Sequence, residues 1–93
     1  MDKLIRQAVF KYLENNNPHR RFLDKTYFET DPDLFRIVEN NRDSWLVLYK
    51  EYDIYHMEFE RRSFLVEYKQ AHGVLIVSEI MSTESYSVDE LER

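Results

Sequence analysis

Residues 44–60 read SWLVLYKEYDIYHMEFE, and the spacing of apolar residues in this stretch decides the fold. In an extended chain, residues two apart share a face. From Ser44 to Glu51, Trp45, Val47 and Tyr49 fall on one face and Leu46 and Leu48 on the other. From Ile54 to Glu60 the alternation is stricter, with Tyr55, Met57 and Phe59 opposed by His56, Glu58 and Glu60. Both segments read as strands. An antiparallel sheet with one wet face shows polar residues at alternate positions. The 44–51 strand does not, so it calls for cover on both faces.

Toward the C-terminus, Arg61-Arg62 reads as a turn and Ser63–Tyr68 as a strand, with Phe64, Val66 and Tyr68 set against Leu65 and Glu67. Ala71-His72-Gly73 is a turn closed by the only glycine, and Val74–Met81 is the last strand. Val74 and Ile76 oppose Leu75 and Val77, which repeats the two-sided pattern. After Ser82 the chain becomes an acidic tail. Within it, Ser87-Val88-Asp89-Glu90 has the spacing of a capping box. Residues 88–92 can start a short helix, too brief to stand unaided.

Toward the N-terminus, Asn40-Asn41-Arg42-Asp43 is a turn, because asparagine tolerates the left-handed backbone. Phe35–Glu39 alternates weakly, and Asp31-Pro32-Asp33 is a further turn. Residues 24–30 read as a first strand, with a helical turn over 20–25 as the alternative. Residues 2–15 carry Leu4, Ile5, Ala8, Val9, Tyr12 and Leu13, an apolar stripe of helical period. Asp2 favours the helix start through the dipole, and Asn15-Asn16-Asn17-Pro18 stops the helix.

These elements predict an α+β fold: an N-terminal helix packed on a mostly antiparallel sheet of about five strands in meander order. Connections this short leave no room for crossover helices. The whole chain, 1–93, is expected to be one domain, with helix 2–15, sheet 24–82 and acidic tail 83–93. The order of elements resembles the cystatin-like arrangement of a helix held by an antiparallel sheet, a likeness that implies no function.

Composition narrows the chemistry. Of the 93 residues, 18 are acidic and 13 basic, a net charge of −5. Glu79–Arg93 holds five acids and one base, so nearly all the excess is local. A near-neutral body with an acidic end collects phosphates poorly. The chain has no cysteine, which removes disulfides, thiolate nucleophiles and cysteine metal sites. A single glycine leaves no phosphate-cradling loop or dinucleotide fingerprint, and no serine sits in a nucleophile elbow. His56 and Glu58 share a strand face, yet a metal needs further ligands that the spacing does not offer. His19 and His72 fall in turns. The expectation is no catalysis, no cofactor and no metal.

No apolar run is long enough for a signal sequence or a membrane span, and the expected location is the cytoplasm. Aromatics make up 15% of residues. Tyr49, Tyr52 and Tyr55 lie near Lys50 and Arg61-Arg62, the mix used by nucleic-acid platforms. Glu51, Asp53, Glu58 and Glu60 lie in the same stretch and repel phosphate, which disfavours nucleic acid. Tyrosine and tryptophan also anchor protein interfaces. One helix covers about 10 Å of sheet, whereas five strands span roughly 24 Å.

The sequence therefore favours a non-enzymatic interaction module that binds a protein partner, or a second copy as a homodimer, through an aromatic sheet face. The candidate interface residues are Trp45, Leu46, Leu48, Tyr49, Tyr52 and Tyr55. The alternatives are a small acidic inhibitor or immunity-type protein that masks a basic, nucleic-acid-facing surface, and a nucleic-acid-binding module. The second cover comes from another subunit or from the 19–30 segment, with Phe22, Leu23, Tyr27 and Phe28.

Overall fold

Helix α1 spans Asp2–Asn16. Its apolar stripe sets Ile5, Ala8, Val9, Tyr12 and Leu13 into the core, as the helical spacing predicts, and Leu4 packs half-buried against it. Arg6 Nε bonds Asp2 Oδ2 at 2.9 Å across one turn, and its guanidinium lies over the Phe35 ring, 4.9 Å from the centroid. A computed structural model of the chain describes residues 1–16, 35–53 and 56–92, with 51–53 described by their backbone alone. The expected strand at 24–30, the 19–30 cover and the turn at 31–33 lie outside these residues.

Five strands follow: β1 (Phe35–Asn41), β2 (Ser44–Asp53), β3 (Glu58–Lys69), β4 (Val74–Glu79) and β5 (Ser82–Ser87). They form one sheet in the order β1-β2-β3-β4-β5, and every neighbouring pair is antiparallel. A short helix α2 (Val88–Leu91) ends the chain and buries Leu91. The α+β meander predicted from the alternation is the architecture observed.

Two expectations are corrected. Arg61-Arg62 is not a turn, and from Glu58 onward the strands expected at 54–60 and 63–68 are one strand, β3. The β2–β3 register runs unbroken from Ser44↔Glu67 to Asp53↔Glu58. Arginine has no preference for turn backbone, and Arg62 is tied to β4 through Glu79. The chain reverses instead between Asp53 and Glu58, where Met57 takes φ 54°, a left-handed conformation. The second correction is at 83–87, read as acidic tail and found within β5. Val74–Met81 stops at Glu79, and a two-residue turn, Ile80-Met81, brings Ser82 opposite Glu79. Serine-rich sequence has weak strand propensity, but β4 needs a partner on its outer edge, and Tyr86 gains a buried site.

The core lies between α1 and one sheet face, and includes Phe35, Val47, Tyr49, Phe64, Val66, Leu75, Val77 and Tyr86. Tyr12 meets Phe64 edge to face, with centroids 5.4 Å apart. Packing of this kind holds one α1 orientation across the strands.

Candidate interaction surface

Strand alternation divides the expected interface residues between two faces. Trp45 and Tyr49 lie on the α1 side; Tyr49 is buried and Trp45 packs half-buried against the core. The aromatic face proposed from sequence is thus the covered one. Leu46 and Leu48 lie on the opposite face and keep 39% and 41% exposure. Tyr52 is paired with Phe59 in the register, and Tyr55 lies outside the described residues.

The face away from α1 is built by register. Val38 pairs with Leu46, and Leu46 with Leu65, so these three form one apolar row across β1, β2 and β3. Val38 is 36% exposed and Leu65 half-buried. The next row on this face is Arg36, Leu48 and Ser63. Beyond it Lys50 stands opposite Arg61, and Phe59, 59% exposed, follows on β3. Sequence reading missed Val38, Leu65 and Arg36, because nothing local says which strands are neighbours.

The β2–β3 ribbon outruns the sheet. Pairing with β1 begins at Phe35↔Tyr49, and pairing with β4 reaches Leu65↔Ser78. The rungs from Lys50↔Arg61 to Asp53↔Glu58 therefore have no described neighbour on either side, an arm of about 14 Å before its turn.

On the α1 side a polar cluster closes the end of the helix. Arg62 donates through Nε and Nη2 to Glu79 at 2.8 and 2.7 Å. Tyr12 donates to Glu79 Oε1 at 3.0 Å and also bonds Ser82 Oγ. The Arg62 hydrogen bonds hold the Glu79 carboxyl below its usual range. Burial pushes the Tyr12 hydroxyl up, helped by Glu79. Tyr86 is pushed up by burial and by its bond to Glu84, whose carboxyl is lowered by the same bond. In this cluster Glu79 is ionised and consumed by Arg62, and the two tyrosines stay protonated.

Among the described residues no three His, Asp or Glu side chains gather as a metal site. His56 lies in the turn before β3, and His72 lies in the exposed turn before β4. Among the described residues no helix is long and apolar enough to cross a membrane. Compared with protein-family models, curated proteins and solved structures, the chain gives no match.

Proposed function

We propose that this chain is a non-enzymatic interaction module that binds a protein partner through the sheet face away from α1. The observation that supports this reading is the apolar row of exposed Val38 and Leu46 with half-buried Leu65, and exposed Leu48 beside it. These are adjacent positions on neighbouring strands, so they make one patch and not scattered single residues. The partner replaces water over a surface that α1 cannot reach.

The test is capture from a lysate of the source organism on immobilised wild type and on the double variant Leu46→Asp/Leu48→Asp. Both positions are already solvated, so the variant keeps its fold, checked by circular dichroism. A partner retained by wild type, lost by the variant and destroyed by protease but not nuclease supports the reading. Equal capture by both proteins ends it. The same apolar row also favours a second reading, a two-fold homodimer. In that case sedimentation at tens of micromolar gives twice the 11.5 kDa chain mass, and the double variant returns to one.

A further inference from the structure

We infer that the occupant of this face is an acidic amphipathic helix of a partner protein, an inference that rests on the interaction reading above. It comes from how the register sorts charge. On β1–β5, Glu39, Glu58, Glu60, Glu79 and Glu84 alternate onto the α1 side. Arg36, Lys50, Arg61 and Lys69 alternate onto the other, with Glu67 the one acid among its described strand residues. A chain of net charge −5 thus turns a basic face outward exactly where its apolar row is exposed.

Lys69 is paired with Glu67 at 3.5 Å. Arg36, Lys50 and Arg61 make no ion pair with any described residue, and all three are exposed. They surround Leu48. Arg36 is directly across from it on β1, with Cβ atoms about 5 Å apart. Lys50 is two residues along β2, about 7 Å away, and Arg61 is the diagonal neighbour on β3, about 7–8 Å away.

Lys50 and Arg61 also face each other directly across the ribbon. Like charges in that position destabilise a sheet. Carboxylates of a bound partner remove that repulsion, so the site gains on binding what it loses when empty. The partner's shape follows from layering. A sheet face is covered by a helix or by a second sheet; the proposal takes the helix, which makes a second helical layer opposite α1. Its contact stripe is apolar, to meet Val38, Leu46, Leu48 and Leu65, and is flanked by Asp or Glu.

Two other occupants fit less well. A second copy docked face to face about a two-fold axis at Leu48 sets Arg36, Lys50 and Arg61 against the same three cations. Single-stranded nucleic acid needs aromatic stacking platforms, and the central rows here are aliphatic.

The experiment uses the full chain and fluorescein-labelled helical peptides of about 18 residues, long enough to span the sheet. One peptide carries a leucine stripe flanked by glutamate; its twin carries lysine at those positions. An oligothymidylate of similar length is the third probe. The expected result is binding of the glutamate peptide, weakened about tenfold between about 50 and 300 mM salt, with the lysine peptide weaker at every salt.

Lys50→Glu/Arg61→Glu keeps a like-charge pair, so it keeps the stability of wild type, and it should invert the peptide preference. If it does not fold, Lys50→Gln and Arg61→Gln carry the test, each weakening the glutamate peptide several-fold. Equal binding of both peptides, no binding of the glutamate peptide, tighter binding of oligothymidylate, or a dimer lost on Leu46→Asp/Leu48→Asp each overturns the proposal. If the acidic peptide shows no preference while the lysate partner is still lost with the double variant, the interaction reading stands and the acidic-helix inference alone fails.

Discussion

At the scale of single residues, Gly73 and Glu79 give the clearest expectations. Gly73 has φ 61° and nothing within 4 Å of a built Cβ. The cost of a side chain there is therefore pure backbone strain. Gly73→Ala should destabilise by about 1 kcal/mol, and Gly73→Asn by less, in urea unfolding. The turn matters beyond its own loop, because the Gly73 carbonyl accepts the Val88 amide at 2.9 Å and so ties α2 to the β3–β4 turn. Glu79 governs acid stability. Its folded carboxyl titrates below the ordinary 4.5, so the unfolded chain takes up the proton first as pH falls. The stabilisation is fully present above pH 4.5 and is lost as pH drops through the folded value. Glu79→Gln should flatten that part of the acid limb in urea midpoints measured from pH 7 to 3. At neutral pH, Arg62→Ala should cost about 2 kcal/mol, since it leaves a partly buried carboxylate without its charged donor.

At the scale of elements, α1 is the main support of the fold. Val9 and Leu13 are fully buried, and Leu13→Ala should cost about 3 kcal/mol through lost transfer energy and a cavity. The β2–β3 ribbon behaves differently. Its outer rungs pair Lys50 with Arg61, Glu51 with Glu60 and Asp53 with Glu58, like charge against like charge. Such pairing is unfavourable. Arg61→Glu converts one rung to an opposite-charge pair. It should raise stability by about 0.5 kcal/mol, an effect that shrinks with added salt. The same change should weaken the acidic peptide, so that stability and binding move in opposite directions at one position. A rise in stability with unchanged peptide affinity would detach Arg61 from the site.

At the scale of the whole molecule, the chain builds a two-layer sandwich and leaves one sheet face exposed over at least Val38, Leu46 and Leu48. A helix on one face satisfies the covered half of each strand. It does nothing for the other half, where β2 places leucines at positions that a wet sheet fills with polar groups. The exposed row and its basic rim form one surface, the one proposed to take a third layer.

The sequence alone determined α1, the strands near 44–51 and 74–79, and the existence of a two-sided apolar β2. Those features are local: a 3.6 or 2.0 period over a handful of residues fixes which side chains share a face. It also named Leu46 and Leu48 as candidate interface residues, and both are exposed on the sheet face away from α1. It named Trp45 and Tyr49 as well, because aromatic content is visible in sequence whereas the face a helix will occupy is not. The turn at 61–62 and the tail at 83–87 failed for a related reason. Both were decided by pairing partners, Arg62 with Glu79 and β5 with the free edge of β4, which lie 17 residues apart and across a hairpin. Charge was the largest reversal. In sequence Glu58, Glu60, Lys50 and Arg61 are mixed within a dozen residues and cancel. Only the register of β2 against β3 separates them, because one residue of offset moves a side chain to the opposite face of the sheet. That sorting is long-range geometry, and the tertiary structure alone supplies it.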